Sequence, residues 1–278
     1  MITNRQRAMA AALRTLQTDD VLVLPNAWDA ASAALIAAGG ARAIATTSAG
    51  LSWSLGRPDG QNLTRPEMVD AVARIAAAVD LPVSADVEGG YGPGADDVAR
   101  TVAEVIGAGA VGINLEDSRA PGGPLFGAGD QASRIRAARE SAIAAGLPEL
   151  VVNARTDVYL FGIGSEAGRL DDVVARARSY ADAGADSLFV PGLLDLDTLA
   201  ELTRRVDLPV NAMAGPGAPS VDDLRAAGVR RVTVGQAIAQ AAYSLARRAA
   251  VEAIEKGTFD SLADADPFGA VNGAFRPR

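Results

Sequence analysis

Short apolar runs rich in β-branched residues alternate with alanine-rich helical stretches along the whole chain. The runs fall at 21–26, 43–48, 82–88, 112–117, 150–157, 187–192, 209–214 and 231–236. Near-continuous apolar strands separated by helix-length segments suit a parallel sheet whose strands are covered by helices. About eight such units predict a closed (β/α)8 TIM barrel. A doubly wound open sheet is the alternative. The even strand count and the lack of a Gly-x-Gly-x-x-Gly turn after the first strand weigh against it.

The helical stretches carry start and stop signals. Thr64-Arg65-Pro66-Glu67 reads as an N-cap, a first-turn proline and an acid at N3, opening a helix that runs to about residue 80. The segments 130–146 and 171–184 each begin with Asp and end at Gly, as cap chemistry predicts. Gly39, Gly109, Gly184 and Gly228 each close a helix just before the next strand. The repeat leaves no linker, so residues 1–258 read as one barrel domain and 259–278 as a C-terminal tail that packs on a neighbour or stays loose. The helix over about 238–256 is alanine-rich and apolar on much of its surface, as a subunit contact would be.

Composition narrows the chemistry. The chain has 278 residues, 49% of them hydrophobic, enough for a substantial core. A net charge of -8 with no basic cluster argues against nucleic acid or an anionic membrane as partner. No leader-like or membrane-spanning apolar run is visible, so a cytoplasmic protein is expected. Cys and His are absent and Lys256 is the only lysine. Thiol nucleophiles, Ser-His-Asp triads, Cys/His zinc sites and a Walker P-loop are therefore excluded. Carboxylates, Arg, Tyr, Ser, Thr, backbone N–H groups and a metal remain.

The polar residues gather where barrel chemistry occurs, at the carboxyl ends of strands. The third strand runs into Asp86 and Glu88, two acids at alternate positions that project together, followed by Gly89-Gly90-Tyr91-Gly92. Two acids that close repel unless a cation sits between them, and an all-oxygen donor set suits Mg²⁺ or Mn²⁺. A solvated strand end that caps the next helix is the plainer reading. Thr46, Thr47 and Ser48 end the second strand, Glu116 and Asp117 the fourth, and Arg155, Thr156 and Asp157 the fifth, while Asn211 lies on the seventh. A buried Arg155 needs anionic partners, either Glu116 or Asp157 as a structural pair or a substrate carboxylate or phosphonate that it clamps. The Pro/Gly-rich loop 118–129 is either a surface loop or a lid, with Leu125 and Phe126 as its apolar plug.

At these residues the chain resembles the isocitrate lyase/phosphoenolpyruvate mutase superfamily, on the phosphoenolpyruvate mutase-like branch. Five ordered blocks carry the resemblance: Leu24-Pro25-Asn26-Ala27-Trp28-Asp29-Ala30-Ala31-Ser32; Thr47-Ser48-Ala49-Gly50-Leu51 followed by Gly56-Arg57-Pro58-Asp59-Gly60; Ala85-Asp86-Val87-Glu88-Gly89-Gly90-Tyr91-Gly92; Gly112-Ile113-Asn114-Leu115-Glu116-Asp117; and Asn153-Ala154-Arg155-Thr156-Asp157. The resemblance implies a barrel whose last helix swaps between subunits, in dimers paired into tetramers. It implies Mg²⁺ on Asp86 and Glu88, with Glu116 nearby. It also implies a 2-oxo acid whose carboxylate is bound by Thr46, Thr47 and Ser48. Arg155 and Asp59 fall on the family's arginine and its second-loop aspartate, and Asn211 on a polar strand-seven position.

The chain departs from its relatives in the fourth-strand loop. That loop has neither the Lys-[Lys/Arg]-Cys-Gly-His segment of isocitrate and methylisocitrate lyases nor the Lys and Asn of phosphonate enzymes. Pro191 stands where lyases carry a sixth-strand glutamate. The activity this implies is cleavage of a C–C bond in a small 2-oxo acid or 3-hydroxy diacid through an enolate, with Tyr91 as a possible proton source. The alternatives are phosphonomutase or phosphonopyruvate hydrolase chemistry on a C–P bond, with Asp59 near the transferring group, and a 2-oxo acid-binding protein without turnover.

Overall fold

The structure, a computed structural model, describes residues 2–275. Among them nine strands form one all-parallel sheet: β1 (Leu22–Leu24), β2 (Asn26–Ala27), β3 (Ile44–Thr46), β4 (Val83–Asp86), β5 (Gly112–Glu116), β6 (Val151–Arg155), β7 (Ser187–Phe189), β8 (Val210–Met213) and β9 (Arg231–Thr233). Their order is β1-β9-β8-β7-β6-β5-β4-β3-β2. The helices are α1 (Asn4–Asp19), α2 (Ala30–Ala38), α3 (Ser48–Ser54), α4 (Arg65–Ala78), α5 (Ala95–Gly107), α6 (Ala128–Ala144), α7 (Arg169–Asp182), α8 (Leu196–Arg205), α9 (Val221–Ala226), α10 (Ala237–Lys256) and α11 (Phe268–Gly273). This is the (β/α)8 TIM barrel expected from the alternation. Within the tail, Asp260–Leu262 forms a 3-10 turn ahead of α11, and residues 276–278 lie outside the described residues. Among the described residues no helix is long and apolar enough to cross a membrane.

The ninth strand arises at the barrel seam. The run expected as one first strand is split at Pro25, which has no N–H to give to a ladder. Its first half, β1, pairs with β9, and its second half, β2, pairs with β3, so one segment joins both edges of the sheet. The buried Asn26 side chain stitches the gap. Its Nδ2 donates to the Thr46 carbonyl at 2.8 Å, and its Oδ1 accepts from the Val234 N–H at 3.0 Å. Leaving these partners unpaired costs about 1–3 kcal/mol each. Asn26→Ala is therefore expected to lower unfolding stability by about 2–4 kcal/mol, readable in urea melts. A loss under 0.5 kcal/mol would show that the seam does not depend on this side chain.

Caps match the expected chemistry, with small shifts in position. Thr64 and Glu67 form a reciprocal capping box on α4. Asp130 and Asp171 are not the N-caps expected of them. Gly127 and Gly168 take those places, and the acids sit one turn in, where they still complement the helix dipole. Gly109, Gly184 and Gly228 adopt positive φ after their helices, whereas after α2 it is Gly40, not Gly39, that turns left-handed.

The hydrophobic core is the annulus between strands and helices. Ile113 and Leu115 of β5, Val152 and Ala154 of β6, Leu188 of β7 and Val232 of β9 belong to it, packed with helix residues such as Val102, Ile106 and Ile135. Alternate residues on the same strands face inward and are polar. Ser187 Oγ donates to Asn153 Oδ1 at 2.7 Å, Asn153 Nδ2 to Asn114 Oδ1 at 3.2 Å, and Asn114 Nδ2 to Asp86 Oδ1 at 3.0 Å. A hydrogen-bonded wire thus crosses the barrel interior and ends on the first of the two third-strand acids.

Candidate active site

A cavity of about 310 Å³ opens at the carboxyl ends of the strands. Thr46, Thr47, Ser48, Asp59, Asp86, Glu88, Glu116, Arg155 and Asn211 all line it. Tyr91 is not in its lining, nor are the strand-end residues Asp117, Thr156 and Asp157 or the loop residues Leu125 and Phe126.

Asp86 ends β4 as the hub. Its Oδ2 accepts the Ser48 N–H at 3.1 Å, and its Oδ1 accepts Asn114 Nδ2 and, at 3.3 Å, the N–H of Glu88. Its own N–H donates to Thr46 Oγ1 at 2.7 Å. The Thr46 hydroxyl and the Ser48 amide are therefore used to hold Asp86. The other amides of the first turn of α3, which opens at Ser48, have no helical acceptor.

Glu88 is 3% exposed and sits at φ +48°. Among the described residues only two other non-glycine residues have positive φ, Gln61 and Tyr91, and both bind this one carboxylate. The Gln61 N–H donates to Oε2 at 2.5 Å and the Tyr91 hydroxyl to Oε1 at 3.0 Å. Backbone strain of order 1–3 kcal/mol per residue is concentrated on the placement of one side chain. Burial, then repulsion from Asp86, pushes the Glu88 carboxyl up to about 7. Burial and the Glu88 charge drive the Tyr91 hydroxyl far above its ordinary range. Tyr91 is thus a poor proton source, and its hydroxyl instead fixes Glu88. At the cavity mouth, burial and the Asp86 charge raise Asp59, against opposing hydrogen bonds from Ser48 and Gly60.

On the opposite wall Arg155 pairs through Nη1 with Glu116 Oε2 at 2.9 Å and through Nε with Asp157 Oδ1 at 2.6 Å. Both structural partners considered from the sequence are engaged at once. Those carboxylates outweigh the cost of burial and keep the guanidinium charged. Burial drives the Glu116 carboxyl up to about 8, against the pull of Arg155. Burial thus favours the protonated form of Glu116 and the Arg155 pair opposes it.

The loop 118–129 differs from the expected plug. Phe126 is 6% exposed and is stacked between the Arg119 and Arg134 guanidinium groups, 4.3 and 4.2 Å from its ring centre, away from the cavity lining. Pro121 is the loop residue that reaches the cavity. It abuts Gly60, whose φ of +96° and lack of a side chain let the two loops meet. Arg134, from α6, also donates to the carbonyls of Gly89, Gly92 (3.1 Å) and Pro93 (2.6 Å), so one side chain ties the Glu88 turn to the base of the loop. Sequence reasoning passed over Arg134 because the carbonyls it binds lie more than forty residues away.

Asp59, Asp86 and Glu88 have no Lys or Arg ion-pair partner among the described residues. The cavity wall thus carries carboxylates outside any salt bridge and an all-oxygen donor set, which fits a hard divalent cation. No group of three or more His, Cys, Asp or Glu forms a ready-made cage among the described residues. A two-carboxylate site suits Mg²⁺, which usually keeps waters or substrate oxygens as its other ligands.

The phosphoenolpyruvate phosphomutase family model matches residues 13–254. A crystal structure of a candidate lyase/mutase from Burkholderia cenocepacia J2315 superposes with a TM-score of 0.90 at 41% identity, covering 98% of this chain and 96% of that one. Oxaloacetate decarboxylase from Bradyrhizobium sp. (strain BTAi1) is 33% identical over 238 residues, 82% of this chain and 78% of that protein. The structure of oxaloacetate acetylhydrolase in complex with the product oxalate has a TM-score of 0.84 at 26% identity, covering 96% of this chain and 94% of that one.

Proposed function

This chain belongs to the phosphoenolpyruvate phosphomutase family, within a superfamily of carbon–carbon lyases and mutases. From that premise we propose that it is a Mg²⁺-dependent lyase that takes a small 2-oxo acid, or a 3-hydroxy diacid, and breaks the C–C bond at C3. One observation carries the reading: Asp86 and Glu88, neither in a salt bridge, share a cavity with Arg155 and the buried Glu116 paired to it.

Asp86 and Glu88 would hold the cation, with Mn²⁺ as a substitute. When bound, it supplies Lewis-acid polarisation of the 2-oxo group and charge stabilisation as the bond breaks. The chain's own residues do the rest. The Arg155 bonds to Glu116 and Asp157 use Nη1 and Nε, leaving Nη2 for the substrate carboxylate. Thr47 and Ser48 orient the same group from the start of α3. Phe161, Phe189 and Leu160 supply an apolar wall that limits water beside the reacting carbon. Glu116 delivers the proton that the new carbanion centre requires, a role that Cys fills in isocitrate lyase-type relatives.

A panel of 2-oxo acids and 3-hydroxy diacids, followed by mass spectrometry, tests this. One member is expected to be cleaved with Mg²⁺ and left intact under EDTA, with cleavage returning when excess Mg²⁺ is added. Stabilisation by these acids with no product over hours would favour the binding-protein reading. Phosphate release from phosphonopyruvate would favour C–P chemistry.

The oligomeric expectation also continues as a proposal. Ile238, Tyr243, Leu245, Val251 and Ile254 are exposed along α10, and Phe259, Leu262 and Phe268 beyond it. So much apolar surface in one segment suits a subunit contact. Light scattering is expected to give a dimer or tetramer, and Ile254→Asp to shift it toward smaller species.

A further inference from the structure

Arg231 is the largest fully buried side chain among the described residues, 1% exposed, and it lines the cavity from β9. Its only hydrogen bond is a long one, 3.5 Å from Nη2 to Ser84 Oγ. Nε and Nη1 have no hydrogen-bond partner among the described residues, and the guanidinium makes no salt bridge there, although the charge of the Asp86 carboxylate acts on it. Among the other buried arginines, Arg176 is balanced by Asp117 and Arg134 has its donors taken up by the carbonyls of Gly89, Gly92 and Pro93, while half-buried Arg155 is balanced by Glu116 and Asp157. Burial pushes Arg231 down to about 10, which still leaves it charged at neutral pH. Buried N–H donors without acceptors are costly and call for a partner.

The neighbouring strand supplies a second free donor. Asn211 is the register partner of Arg231 across the β8–β9 ladder, so both side chains enter the barrel at the same level. Asn211 is fully buried and lines the same cavity. Its Oδ1 accepts from Thr233 Oγ1 at 3.4 Å, while its Nδ2 has no partner. Arg231 spans from β9 toward Ser84 of β4, two residues before Asp86, which places this donor pair one layer below the mouth.

We propose that Arg231 and Asn211 form a second carboxylate subsite on the cavity floor, occupied by the distal carboxylate of a two-acid substrate whose 2-oxo acid end lies at the mouth. The inference rests on the 2-oxo acid reading above and extends it. Charged and amide donors of this kind, buried and unpaired, discriminate strongly against a ligand that leaves them empty. The floor selects diacids over monoacids of the same 2-oxo type.

The test compares pyruvate with 3,3-difluorooxaloacetate, a four-carbon 2-oxo diacid with no C3 proton to lose, by calorimetry on the Mg²⁺-loaded protein. Wild type is expected to bind the diacid at least tenfold more tightly than pyruvate. Arg231→Met is expected to erase that preference while holding pyruvate affinity within about twofold, and Arg231→Lys to retain part of it. Undiminished diacid preference in Arg231→Met overturns the proposal, as does an equal loss for both ligands. If Arg231→Met does not fold, the wild-type ranking decides, and equal affinities overturn the proposal. If wild type binds neither ligand, the mouth reading has failed, and the floor is judged separately with formate on the metal-free protein. Saturable thermal stabilisation of wild type that is weakened in Arg231→Lys supports the subsite, and no stabilisation of wild type overturns it. Equal shifts in both proteins overturn it.

Discussion

Asp86→Ala is expected to abolish Mg²⁺-dependent oxalate binding and to reduce turnover of the cognate acid at least a thousandfold, about 4 kcal/mol. Oxalate offers two adjacent carboxylate oxygens, like the oxo and carboxylate oxygens of a 2-oxo acid, without a bond to cleave. Asp86 is one of two carboxylates available to the cation, and it also orders the site around itself through Ser48, Asn114 and Glu88. Part of the alanine effect is structural, because the Ser48 N–H and Asn114 Nδ2 lose an acceptor, at about 1–3 kcal/mol each. Asp86→Asn separates the terms. It keeps the shape and one acceptor oxygen but removes the charge, so it should fold nearly as well as wild type and still fail to bind oxalate with Mg²⁺. Calorimetry with and without Mg²⁺, alongside a thermal melt, reads both. Unchanged binding in either variant would sink the metal assignment, and with it the lyase proposal.

Much of this site could be read in the sequence because strand ends impose a local code. Alternation predicts Asp86 and Glu88 on one side of a strand; the cavity is lined by both, but β4 ends at Asp86 and Glu88 reaches the cavity from a left-handed turn. Glu116 and Arg155 were readable for the same reason, as charged residues at the ends of otherwise apolar runs. What the sequence concealed depends on contacts across the barrel. Pro25 splits a strand only because β9 and β3 compete for its two halves. Nothing local distinguishes Asp130 as a first-turn acid from Asp130 as a cap, since either position satisfies the helix dipole. Phe126 looks like a plug until Arg134, on the following helix, is found beneath it. Arg231 follows Arg230 in a short strand, and alternation alone does not say which of the two enters the barrel. Only the pairing with Asn211 and the empty donors mark it. Local periodicity thus conveys direction, while partnership across the ring conveys role.

Arg176→Met is expected to cost about 3–5 kcal/mol of unfolding stability, the usual penalty for stranding a buried partner. At this chain length that lowers the melting temperature by roughly 10 °C. Asp117 is completely buried behind the active-site wall. Its Oδ2 accepts from Arg176 Nη1 at 3.1 Å and from the Tyr180 hydroxyl at 2.8 Å, and its Oδ1 accepts from the Asp157 N–H at 3.0 Å. Arg176 also donates to the Phe126 carbonyl at 2.9 Å. One guanidinium from α7 therefore ties the end of β5 to the base of the loop 118–129, and Asp117 passes that constraint to Asp157 and so to Arg155. Burial already raises the Asp117 carboxyl despite these donors, so without Arg176 it would take up a proton or admit water. The double variant Asp117→Asn/Arg176→Met removes both charges and should recover part of the loss, because a buried pair costs more to halve than to delete. A thermodynamic cycle over the four proteins is expected to give a coupling energy of about 2 kcal/mol or more. A single-variant loss below 1 kcal/mol, or no coupling, would mean that Asp117 is held by Tyr180 and the Asp157 amide alone. The anchoring of Arg155 would then have to come from Ser118, whose hydroxyl donates to Asp157 Oδ2 at 2.6 Å.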